Sequence, residues 1–77
     1  MGLLEYDYSK LDGRITEIFG SRRKFAEAIG RSERTVSLKM NNKIPFDQGE
    51  MEKSADVLNF PVEELGEYFF TRKVQNN

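Results

Sequence analysis

The chain has no cysteine, no histidine and no tryptophan, and only two prolines in 77 residues. Without cysteine, neither a disulfide nor a thiolate metal site can staple the fold. Without histidine, the usual zinc constellations and the Ser–His or Cys–His nucleophiles fall away. No paired carboxylates in a credible pocket and no glycine-rich phosphate loop take their place. We therefore expect no enzyme, cofactor, metal or small-molecule ligand. No run approaches the ~18 apolar residues of a membrane span. Met1-Gly2-Leu3-Leu4-Glu5 lacks the basic flank and long apolar stretch of a signal peptide. Tyr6 stands where a myristoylation motif wants Ser or Thr. The expectation is a cytoplasmic protein with no membrane partner.

A chain of this length makes one small domain, expected over 6–74, with 1–5 and 75–77 flexible. Its core is modest, so stability must come from helix packing, helped by dimerisation if at all. Net charge is −1, yet the charges are segregated along the chain. Arg22, Arg23, Lys24, Arg31, Arg34, Lys39 and Lys43 fall in one window with only Glu27 and Glu33, giving it +5, while the remainder carries −6. Solvation is the ordinary explanation of any one surface base. A cluster matters only if it falls on a structural motif, where it can turn one face toward a polyanion.

Apolar spacing and caps predict five short helices and an all-α fold. The first opens at Ser9 with Asp12 in its first turn and a stripe of Leu11, Ile15, Ile18 and Phe19, and it stops at Gly20. The second runs from Ser21 to Gly30, with Phe25, Ala26 and Ile29 inward. Ser32 caps a third helix immediately afterwards, with Val36 and Met40 inward. Asn41-Asn42-Lys43-Ile44-Pro45 is a turn, because Pro45 cannot continue a helix. Asp47 and Glu50 have the spacing of a capping box for the fourth helix, with Met51, Ala55 and Leu58 on one face. Pro61 opens a fifth with Val62 and Leu65 inward, ending at Gly66. The alternation of Leu4, Tyr6 and Tyr8 and the aromatic stretch 67–74 suggest either a short antiparallel ribbon of the two chain ends or extended tails on the bundle.

The most informative segment is 22–41, from Arg22 to Asn41. A helix-turn-helix needs a small residue where its helices approach, a glycine at the bend, a cap that restarts the chain at once and a branched apolar residue pinning the second helix. Ala26, Gly30, Ser32 and Val36 meet those needs in order. The run Phe25-Ala26-Glu27-Ala28-Ile29-Gly30 followed by Ser32-Glu33-Arg34-Thr35-Val36-Ser37 resembles the phage Cro/repressor helix-turn-helix family. The layout through Asn59-Phe60-Pro61-Val62-Glu63-Glu64-Leu65 and both chain ends resemble small Cro-like proteins from phages of Gram-positive bacteria. Two positions depart from the pattern: Arg31 stands where the family has Val or Ile, and Lys39 where an apolar residue packs.

The resemblance implies a lambda-repressor-like domain acting as a sequence-specific transcriptional regulator on double-stranded operator DNA. It also implies a homodimer at least on DNA, located at the host nucleoid. By position, Ser32, Glu33, Arg34, Ser37 and Leu38 would face base edges in the major groove. Arg34 suits guanine, Glu33 suits cytosine and Leu38 a thymine methyl, while Ser32 has a sufficient reason to be there as a helix cap. Arg22, Arg23, Lys24, Asn41, Asn42 and Lys43 would hold phosphates on either side. Lys10, Arg14 and Lys53 are expected to be plain surface charges. The alternative is a protein-interaction module of the same fold that binds a repressor or another partner protein. In the homodimer reading, helix 5 and Tyr68-Phe69-Phe70 would form the dimer contact, unless those rings simply cap the bundle.

Overall fold

The computed structural model describes residues 5–74. Among them are five α-helices: α1 (Ser9–Phe19), α2 (Arg22–Ile29), α3 (Glu33–Met40), α4 (Gln48–Val57) and α5 (Leu65–Phe69), with a 3-10 turn at Val62–Glu64 leading into α5. The fold is all-α. Its centre is α2, which packs on α1, α3 and α4. Phe25, Ala26 and Ile29 are the reason, since all three are buried. Burying a side chain the size of Phe25 contributes roughly 1.5–3 kcal/mol, and its placement decides which face of α2 turns inward.

Each helix begins and ends for a chemical reason. Ser21 caps α2 by accepting from the Lys24 N–H, and Ser32 caps α3 by accepting from the Thr35 N–H at 3.1 Å. Asp47 and Glu50 form the full reciprocal capping box on α4. The cap of α1 differs from expectation. Ser9 lies inside the helix, and the Asp7 carboxylate accepts from the Ser9 N–H at 2.8 Å and from its hydroxyl. Those bonds hold the Asp7 carboxyl below the usual carboxylate range.

Gly30 ends α2 at φ 76°, a left-handed conformation that a Cβ would strain. Its N–H and that of Arg31 return to the Glu27 and Ala26 carbonyls, and α3 starts after a turn of three residues.

Several inward assignments need correction. Ile18 is exposed, and Phe19 alone continues the α1 stripe by meeting Phe25. Val62 is exposed, because residues 62–64 wind as a 3-10 turn and rotate that side chain outward. Gly66 does not end the fifth helix. It sits within α5, which continues to Phe69 and buries Tyr68 and Phe69 while leaving Phe70 out.

The expected ribbon is reduced to one antiparallel bridge between Tyr6 and Arg72, flanked by Asp7 N–H to Thr71 C=O and Lys73 N–H to Glu5 C=O bonds. Glu5 is therefore tied to the C-terminal arm. The Leu4 alternation and the expected flexibility of 1–4 and 75–77 lie outside the described residues. Tyr8, Phe46 and Phe69 meet edge to face, joining the N-terminal arm, the loop before α4 and α5.

Candidate interaction surface

The α2–α3 unit and the turn after it carry the sequence-predicted residues but treat them unequally. Ser32, Glu33 and Arg34 are exposed at the start of α3, and Ser37 and Leu38 are half-buried one turn later. Ser32 is occupied as a cap, and its hydroxyl also donates to Thr35 Oγ1 at 2.9 Å. Arg23 and Lys24 are exposed at the start of α2, and Asn41 and Lys43 at the turn after α3.

The other predicted cations and amides are committed elsewhere. Arg22 Nε donates to Asp12 at 3.1 Å, tying α2 to α1. Asn42 turns inward at φ 63°, accepting from the Tyr6 N–H at 2.9 Å and donating to the Tyr6 carbonyl at 3.0 Å. It replaces a neighbouring strand for the N-terminal arm, which turns its amide toward Tyr6 and leaves one of its two N–H groups unused among the described residues.

The two departures from the family pattern share one explanation. Arg31 Nε donates to Glu50 Oε2 at 2.7 Å, and Lys39 Nζ donates to Glu50 Oε1. Glu50 is 2% exposed and Lys39 is 7% exposed. Burial works to raise the Glu50 carboxyl, but hydrogen bonds from Lys39, the Asp47 N–H and Arg31, together with the Lys39 charge, outweigh it and hold the group below its ordinary value. Lys39 thus fills an apolar-looking position by bringing its own counter-ion. Arg31 covers the other carboxylate oxygen from the turn, and its guanidinium also approaches Asp47 at 3.7 Å.

The +5 window is therefore less basic in space than in sequence. Three of its seven cations, Arg22, Arg31 and Lys39, face acids contributed from outside the window. Among the described residues, Arg23, Lys24, Arg34 and Lys43 have no carboxylate within salt-bridge distance.

Sequence reasoning missed Glu50 as a hub and Asn42 as a staple. It also missed Arg14, which donates to the Leu58 and Asn59 carbonyls at 2.9 and 3.1 Å and so closes the C-terminus of α4. A usable signal existed for the hub: two unexpected cations, Arg31 and Lys39, alongside an acid already fixed by a capping box.

Comparison with known proteins places this geometry. Residues 4–72 match the family described as "Protein of unknown function (DUF739)". The chain belongs to DUF739. No curated protein matches it. Among solved structures, this DUF739 chain is similar to the modulator of repression of the temperate bacteriophage TP901-1 from Lactococcus lactis, known from its solution structure. The two are 47% identical, with a TM-score of 0.76, over 91% of this chain and 95% of that one.

Proposed function

We propose that this protein is a phage regulator that modulates repression by binding a repressor protein, presenting the exposed start of α3 as its contact face. The observation that carries this reading is the similarity to a modulator of repression over nearly the whole of both chains. The electrostatics support it. Sequence-independent grip on DNA grows with the number of phosphates neutralised. Here three of the seven cations in the basic window, Arg22 among the four expected to hold phosphates, are already paired with the protein's own acids. At the front of α3, Glu33 stands beside Arg34, a mixed-sign pair suited to a complementary protein surface. The family resemblance to Cro-like proteins is then a likeness of scaffold, and scaffold alone does not set function.

One observation favours the second reading, direct recognition of operator DNA. Arg34 is exposed near the start of a helix that follows a three-residue turn, as major-groove readers require. Calorimetric titrations of the chain against a phage repressor and against an operator duplex, each at two salt concentrations, separate the two. We expect a saturable complex with the repressor whose affinity falls much less steeply with salt than phosphate-driven DNA binding does. Tight, sequence-selective binding of the chain alone to the duplex, falling steeply with salt, would replace the first reading with the second.

A further inference from the structure

The two chain ends and the turn after α3 build an apolar surface that the α3 front does not use. Tyr6 meets Phe70 edge to face at 5.9 Å and Tyr8 at 6.2 Å. Tyr6, Tyr8, Ile44 and Pro45 line one shallow depression together with Asn42 and Lys43. Phe70 is 51% exposed and Ile44 is 40% exposed. Single exposed apolar residues are ordinary, but contiguous aromatic and aliphatic ones on a small protein mark a contact surface. Aromatic residues are also what protein interfaces enrich.

We infer that this surface docks a second, extended protein segment in which an apolar residue is flanked by carboxylates. Charge selects the acidic flanks. Lys43 borders the depression and Arg72 bridges to Tyr6, and neither has a carboxylate within salt-bridge distance among the described residues.

Backbone geometry selects the extended form. The bonds beside the Tyr6–Arg72 bridge come from their neighbours, so the N–H and C=O of both residues point away from each other. On the Tyr6 side the Asn42 amide closes the edge. On the Arg72 side no hydrogen-bond partner occupies the edge among the described residues, so an extended segment can pair there and lay a side chain against the exposed Phe70 ring.

A second copy of this chain fits poorly. A two-fold contact would set Lys43 and Arg72 against themselves. A contact with the acidic 3-10 turn around Val62 would be head-to-tail, building a ring or a filament rather than a two-fold dimer. The surface lies beyond the far end of α3, about 12 Å of helix from Glu33. Its failure would leave the proposed function untouched.

The test is selection of a random displayed peptide library on the full chain, with each selected peptide then titrated into isotope-labelled protein. We expect enriched peptides to share an apolar or aromatic residue between Asp or Glu. Their shift changes should centre on Tyr6, Tyr8, Ile44 and Phe70. Phe70→Ser and Ile44→Ser, both at exposed positions, should weaken binding by about tenfold or more. Arg34→Ala should leave it unchanged. A folded Lys43→Glu, Arg72→Glu double variant should instead select basic flanks. The inference is overturned if no peptide enriches, if enriched peptides are basic, if their shifts map to α3, or if the double variant keeps the wild-type preference. Self-association in sedimentation, or DNA duplexes shifting the same resonances, would assign the surface to those occupants instead.

Discussion

The two ends of α3 use charge in opposite ways. At its start Glu33 and Arg34 stand in solvent, while at its end Lys39 is buried against Glu50. Two cations five positions apart in one basic window, Arg34 and Lys39, are thus an exposed charge at one end and a packing element at the other. What separates them is a counter-ion from another helix. A count of cations along the chain therefore overstates what a partner can feel. Only those without an internal acid contribute to an outward field.

The most forceful way to break this contrast is to remove the acid. Glu50→Ala strands Lys39 in the core and cancels the capping box, so urea denaturation should register a loss of about 3–5 kcal/mol. In a domain of this size that is most of the stability. A loss below ~1 kcal/mol would mean that Lys39 reaches water at little cost.

Acid titration sharpens the same point. The folded Glu50 carboxyl is held below its ordinary value, so its contribution is present above the unfolded value near 4.5 and disappears as pH falls through the folded one. Glu50→Gln should flatten the stability–pH slope below about pH 4.5 relative to the wild type. An unchanged slope would place the acid sensitivity elsewhere.

Smaller effects test the two ends separately. Lys39→Met replaces the buried ammonium with a side chain of similar shape and leaves Glu50 bonded to Arg31 and the Asp47 N–H, so its cost should stay under about 1.5 kcal/mol. Ser32→Ala removes the α3 cap and should cost about 1 kcal/mol in thermal or urea unfolding. Arg34→Ala should leave stability within about 0.5 kcal/mol, yet weaken the repressor complex by ~1–3 kcal/mol. A variant that loses stability and binding in parallel would undo the assignment of Arg34 to the contact face.

The same contrast explains what was legible in the sequence. Local signals carried well. Gly30 and Ser32 bounded the turn, Asp47 with Glu50 announced α4, and Phe25, Ala26 and Val36 marked inner faces because helix periodicity and capping act within a few residues. Contacts across the chain were not legible. Asn42 with Tyr6 spans 36 positions and Arg14 with Leu58 spans 44, and no periodicity encodes such pairings. Val62 went wrong for a local reason: a 3-10 turn shifts side-chain direction enough to expose a residue that α-helical spacing would bury. Of the residues expected to face a partner, Ser32, Glu33 and Arg34 are exposed and Ser37 and Leu38 half-buried. Their partner could not be read from them, because an arginine beside a glutamate suits a base pair and a protein equally well.

The most direct measurement adds the chain to a preformed complex of a phage repressor and a labelled operator duplex while anisotropy is followed. The account predicts that the signal changes only when the repressor is present, and that Arg34→Ala shifts the midpoint to higher concentration. A chain that alone raises the anisotropy of the operator, and prefers it to a scrambled duplex, would contradict it.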